Sequence, residues 1–192
     1  MLVDIYSCMK KRRHLLYGII ALSTIIFSCK KIISLVFPGK DVSLPALKIN
    51  VPAIPLADST KEFQAGSFTT YINVDSIIKA NTNGAFGIGS VNSVKVKQVT
   101  LSVQNADATN NLSAFKSFRI TISSNTNANT MDMVSVNIPA SAVSTYAETP
   151  SNSPNITSYL GGSSINNTVY GTVRKTTTKT LNLTISILLR AD

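Results

Sequence analysis

One histidine, two cysteines and no tryptophan stand among 192 residues. The histidine is His14 and the cysteines are Cys8 and Cys29, so beyond position 29 the chain has neither imidazole nor thiol. Ser-His-Asp and Cys-His catalysis need an imidazole to take the nucleophile's proton, and most zinc and iron sites draw on His or Cys, so the body of the chain is closed to those chemistries. It cannot close an internal disulfide either, and stability must come from core packing, for which the 164 residues after position 28 suffice. Charge is sparse as well, at 14% of residues. The formal net charge of +9 is inflated by Lys10, Lys11, Arg12 and Arg13 near the N-terminus; the chain after position 28 holds 14 basic and 8 acidic residues, a net +6. These charges are scattered singly, with no basic run interleaved with aromatics, which argues against a nucleic-acid partner.

The apolar run of note lies near the N-terminus. Met9-Lys10-Lys11-Arg12-Arg13 is a positive segment, Leu15 to Phe27 an apolar stretch, and Ser28-Cys29 follows. That order is the order of a secretory signal, and Met9 fits its first residue better than Met1. Ile26-Phe27-Ser28-Cys29 resembles the lipobox of bacterial lipoproteins, in which a small residue precedes the cysteine that is lipidated. The resemblance implies cleavage between Ser28 and Cys29, and a mature Cys29 carrying a thioether-linked diacylglycerol and an acylated amine. Several acyl chains make a durable anchor, each buried methylene adding about 0.8 kcal/mol. An uncleaved membrane helix from Leu15 to Phe37 is the competing reading. Lys30 and Lys31 count against it, since each central lysine costs about 2.5–3.5 kcal/mol on insertion scales.

Residues 29–45 read as a lipidated N-terminus and tether punctuated by Pro38 and Pro45, and residues 46–192 as the folded domain. Leu47, Ile49, Val51 and Ala53 alternate with polar residues or proline, the period-2 mark of a half-buried edge strand. The alternation returns at 68–74, 118–122 and 134–138. Near the C-terminus the segments 169–174 and 181–187 read as a terminal hairpin. Between Val94 and Val103 the apolar parity switches from even to odd positions, which predicts a β-bulge at Lys97-Gln98. Short helical turns are expected at 75–80 and 140–146, and Asn/Ser/Thr/Gly clusters mark the turns. About seven strands separated by turn signals predict an all-β fold, an antiparallel immunoglobulin-like β-sandwich, with a jelly roll as the alternative. In signal and body together the chain resembles the small one-domain β-sandwich lipoproteins of Bacteroidota envelopes, a likeness that by itself fixes no function.

No catalytic constellation emerges, and no cofactor or metal is called for. Paired carboxylates could hydrolyse a glycoside, but Asp41, Asp58, Glu62, Asp75, Asp107, Asp132, Glu148 and Asp192 show no spacing that selects a pair. Ser113-Ala114-Phe115-Lys116 reads as a loop entering a strand rather than a Ser-Lys site. Gly84 to Gly89 lacks the Lys-Ser/Thr pair of a phosphate loop and reads as a flexible connector. Asn105-Ala106-Asp107 and the loop ending at Asp132 offer calcium one carboxylate each, where tight loops use several. With no tryptophan, a glycan platform would fall to Tyr146, Tyr159 and Tyr170.

The functional reading is therefore a non-catalytic envelope lipoprotein, attached to the membrane through its lipid, acting as a binding or assembly module for a protein or glycan partner. A carboxylate-dependent envelope glycoside hydrolase and a purely structural spacer are the alternatives. Asp58-Ser59-Thr60 and Asp75-Ser76-Ile77 resemble the short motif at which Bacteroidota O-glycosylate exported proteins, which marks Ser59 and Ser76. Lys30 is not the aspartate that holds enterobacterial lipoproteins at the inner membrane, and no acidic cluster follows Cys29. By resemblance this implies the outer membrane with the domain facing the periplasm, the Lys30-Lys31 pair against anionic headgroups.

Overall fold

The computed structural model describes Phe37 and residues 39–141 and 143–192; Met9, Ser28 and Cys29 lie outside the described residues. The compact body spans residues 38–192. Its elements are β1 (Lys40–Ser43), β2 (Leu47–Val51), β3 (Glu62–Tyr71), α1 (Val74–Asn81), β4 (Val94–Val103), β5 (Phe115–Ser124), β6 (Met131–Asn137), β7 (Thr145–Glu148), β8 (Ser164–Val173) and β9 (Leu181–Ala191). The first strand, β1, thus falls inside the stretch read from sequence as tether.

All pairing is antiparallel and divides the strands between two sheets. One sheet has the order β1-β9-β4-β7, with β2 also on β9; the other has β3-β8-β5-β6. The fold is an all-β sandwich, as the alternation requires. Taking β1 and β2 as one strand broken at Pro45, the order is that of a jelly roll: among the described residues β5 and β6 are the sole strands adjacent in sequence that pair with each other. Pro45 is tolerated because β1 and β2 form an edge, where a missing N–H costs no ladder bond.

The terminal hairpin does not form. Strand β8 pairs with β3 and β5, whereas β9 pairs with β1, β2 and β4, so the two lie in opposite sheets and residues 174–180 cross the sandwich between them. Of the segment expected as a short helical turn at 140–146, Thr145 and Tyr146 instead lie in edge strand β7, where Tyr146 pairs with Leu101. The bulge in β4 is present. Its register on β9 shifts between Val96 and Gln98, leaving Lys97 and Gln98 exposed while Val94, Val96, Val99, Leu101 and Val103 all face the core. The core between the sheets contains Leu101, Phe118, Ile120, Ile122, Met133, Leu181 and Leu183, all fully buried, each stabilising the fold by roughly 1.5–3 kcal/mol.

Helix α1 caps one end of the sandwich. The Asn73 side chain accepts the Ser76 N–H, Val74 and Ile78 are buried, and Lys79 reaches back to Asp75 at 2.6 Å. The helix is stopped by a left-handed turn at Asn83 and Gly84, whose φ of 79° suits glycine. The 84–89 segment is not a free connector: the Ile88 N–H donates to Asp75 Oδ1 at 2.8 Å and ties it to the helix.

Candidate functional site

Strand directions gather four connections at the end opposite α1. Strand β2 ends where Val51 meets Leu181, β4 ends where Val103 meets Leu183, β8 ends where Val173 meets Phe115, and β6 ends where Asn137 meets Ser117. Residues 52–61, 104–114, 138–144 and 174–180 therefore share one rim.

Hydrogen bonds stitch these connections together. Ile54 and Thr177 exchange backbone bonds at 3.1 and 2.9 Å, and the Leu112 N–H donates to the Val143 carbonyl at 2.8 Å. Asn110, buried, accepts the Thr178 N–H on its side chain at 2.8 Å. Arg174 donates to the Ser113 carbonyl at 3.1 Å and to the Ile138 carbonyl at 2.6 Å, so one guanidinium joins three connections. Asp107 takes the N–H groups of Thr109 and Asn110 and the Lys179 ammonium at 2.7 Å. The ammonium first, then those amides, holds its carboxyl far below the usual carboxylate range.

Two clefts open on this rim. The first, about 330 Å³, is mostly apolar, with Val51, Ile54, Leu56 and Phe63 in its walls and Asp58 and Glu62 at its margin. The second, about 610 Å³, is bordered by Leu56, Ala108, Thr109, Ser113, Arg174 and Lys175. Leu56 stands between them and is 83% exposed; Val143, on the same rim, is 56% exposed. An exposed leucine beside an apolar cleft on a hydrogen-bonded frame offers a firm apolar contact to another molecule. Sequence reasoning missed Leu56 and Arg174. The cue for Leu56 was an apolar residue right after Pro52 and Pro55, where no strand can bury it; Arg174 carried no cue, since its partners come from distant connections.

The candidates singled out from sequence are placed as follows. Ser59 and Ser76 are exposed, Ser59 inside a turn in which Asp58 accepts the Thr60 amide at 3.0 Å and hydroxyl at 2.6 Å, and Ser76 in the first turn of α1. The carboxylates are largely engaged: Asp41 by Lys97 and Arg190, Asp58 by Lys61, Asp75 by Lys79, Asp192 by Arg190. Glu148 accepts the Asn137 N–H at 3.2 Å and the Tyr146 hydroxyl at 3.4 Å. On the outer face of the second sheet Arg119 bridges Glu62 at 2.7 Å and Asp132 at 2.6 Å and lies 4.3 Å above the Tyr170 ring. These contacts join all four strands of that sheet. Asp107 and Asp132, the calcium candidates, are thus occupied by cationic side chains, and among the described residues no three His, Cys, Asp or Glu side chains converge. The three candidate tyrosines are not displayed together: Tyr159 is buried, Tyr170 is covered by Arg119, and Tyr146 sits on the β7 edge, while Tyr71, 81% exposed, stands alone at the end of β3. Among the described residues no helix is long and apolar enough to cross a membrane.

No protein-family model matches the chain, and no curated protein matches it. Several solved structures align with it at low similarity. A putative secreted protein from Eubacterium rectale aligns at 12% identity with a TM-score of 0.35, over 80% of this chain and 39% of its own. The cyanophage Pam1 capsid aligns at 10% identity and TM-score 0.35, over 81% and 88%. The family 32 CBM of C. perfringens NanJ, solved with galactose, aligns at 6% identity and TM-score 0.34, over 78% and 99%. The chain spans about a third of the first two structures matched, at 32% and 39% of their lengths. Likeness at this level carries no argument about function, and the fold assignment rests on the strand pairing itself.

Proposed function

We propose that this chain is a non-catalytic, membrane-anchored envelope lipoprotein, held by acylated Cys29, whose sandwich is a binding module that takes a protein partner at the rim of loops 52–61, 104–114, 138–144 and 174–180. The observation that carries the reading is Leu56, exposed between two clefts on a rim braced by Arg174 and Asn110. Binding surfaces concentrate their energy in such apolar anchors on preorganised frames. A protein partner is favoured over a glycan because no aromatic ring is displayed on this rim among the cleft-lining residues except Phe63.

The hydrolase reading has one observation in its favour: Asp58 and Glu62 border the same cleft. A glycosidase needs one carboxyl raised in pKa to serve as acid. Both are instead held below the usual range, Asp58 by the Thr60 hydroxyl and amide and then Lys61, Glu62 by the Arg119 guanidinium. A binding role fits them better.

Two measurements test the proposal. Mass spectrometry of the mature N-terminus should find a diacylglyceryl group on Cys29, with membrane attachment lost in Cys29→Ser; an intact N-terminus starting at Met1 or Met9 refutes the anchor. A photo-crosslinking residue at position 57 in the native host should capture one discrete neighbour, and Leu56→Asp should abolish the capture. Equal capture from position 135, on the sheet face, refutes the rim as the site. Protease shaving of intact cells should spare the domain, as a periplasm-facing module requires.

A further inference from the structure

The two outer faces of the sandwich differ in charge. On the β1-β2-β9-β4-β7 sheet, the outward rows place Lys48 beside Thr184, and Lys95 and Asp41 on either side of Arg190, with Lys97 on the bulge. Four cations thus share this outward face with two carboxylates, Asp41, taken by Lys97 at 2.5 Å and Arg190 at 3.2 Å, and Asp192, taken by Arg190 at 2.9 Å. Lys48 and Lys95 are exposed and have no ion pair among the described residues. Between them the break at Pro45 and the β4 bulge open a shallow depression of about 340 Å³, bordered by Ser43, Gln98, Thr100, Ser186 and Leu188, with no carboxylate in its walls. The other sheet presents Arg119 between Glu62 and Asp132, with Lys116 at its margin, and is close to neutral.

From this asymmetry we infer that the basic sheet face lies flat on the anionic headgroups of the membrane that carries the anchor. The inference rests on the lipid-anchor reading and extends it. The chain enters the sandwich by β1, an edge strand of this same sheet, and Lys40 is eleven residues beyond Cys29. An extended tether of that length reaches at most about 38 Å, so the face is confined near the bilayer at high effective concentration. Each lysine at an anionic surface strengthens association by a factor of about five. The polar depression has hydroxyl and amide donors for phosphate oxygens. With the sheet flat, the strands run along the membrane, and the rim bearing Leu56 points sideways, toward neighbours in the same leaflet rather than away from it.

The test uses the full acylated chain in two kinds of vesicle, pure phosphatidylcholine and phosphatidylcholine with phosphatidylglycerol, bearing a headgroup quencher. A fluorophore is placed at Ser186→Cys on the basic face or Ser135→Cys on the opposite one, both exposed positions. Sedimentation with neutral vesicles reads the anchor. The difference in quenching between the two labels on anionic vesicles reads the face, and is measurable whether or not the anchor holds. Quenching at Ser186 should exceed that at Ser135 severalfold on anionic vesicles at low salt, and the excess should vanish at high salt and in Lys48→Glu/Lys95→Glu. Equal quenching of the two labels, or an excess at Ser186 that persists on neutral vesicles, overturns the inference even if the chain sediments.

Discussion

Asn167 is the polar residue of the core whose environment most invites change. It lies on the inner face of β8, in register with Phe68 on β3 and Ile122 on β5, is 2% exposed, and its Oδ1 has no hydrogen-bond partner among the described residues. A buried amide oxygen without a donor costs about 1–3 kcal/mol relative to a satisfied or apolar side chain. Leucine branches at the same atom and fills a similar space, so Asn167→Leu removes that cost and adds apolar burial, less whatever repacking beside Phe68 and Ile122 requires. The net expectation is a gain of about 1–3 kcal/mol. In a domain of this size each kcal/mol moves the melting temperature by about 2–4 °C, so the variant should melt roughly 2–12 °C higher. Asn167→Asp, which buries a charge in the same place, should lose several kcal/mol or melt non-cooperatively. Urea titration followed by circular dichroism reads both. An Asn167→Leu protein less stable than the parent by more than about 1 kcal/mol, at unchanged m value, would show that the amide oxygen is satisfied and the reasoning unsound.

Three further outcomes are expected. Deleting Lys97 removes the extra residue of the β4 bulge and leaves an unbroken alternation in which Val94, Val96, Val99, Leu101 and Val103 all still face the core; the domain should fold, losing chiefly the exposed Lys97–Asp41 pair, worth about 0–1 kcal/mol, whereas loss of the fold, read by soluble yield and a one-dimensional NMR spectrum, would discount the bulge assignment. Gly171→Ala places a methyl 2.8 Å from the Phe63 ring and 3.1 Å from that of Phe118, which is fully buried; a loss of about 1–3 kcal/mol is expected, largely recovered by Phe63→Leu, and thermal melts of the single and double variants decide it. Asp107 is held below its unfolded value by Lys179 and the Asn110 and Thr109 amides, so its contribution is present above about pH 4 and is lost as pH falls toward its folded value; Asp107→Asn should flatten the acid limb of a stability–pH curve while changing little in slope above pH 5, and an unchanged acid limb would discount the contact.

What the sequence by itself determined was the class of fold and the facing of its strands. Alternation of apolar and polar residues is a local property, written in adjacent positions, and burial on one face of a sheet is its direct cause. That is why Leu47, Ile49 and Val51, or Leu181 to Ile187, could be assigned a buried side, and why the parity switch between Val96 and Val99 announced a bulge at Lys97-Gln98. The same alternation says nothing about which strand lies alongside. Strands β8 and β9 bury apolar faces toward the same core whether they pair edge to edge or sit across it, and the crossing at 174–180 became visible when β3 and β5 claimed β8 while β1, β2 and β4 claimed β9. Tyr146 was misread for a related reason, since edge strand β7 is four residues long and too short to show a period. The loop rim, the sharing of Arg119 by Glu62 and Asp132, and the basic face carrying Lys48 and Lys95 all join residues remote in sequence. Their chemistry is a matter of distance in space, and pairing between strands is what sets those distances.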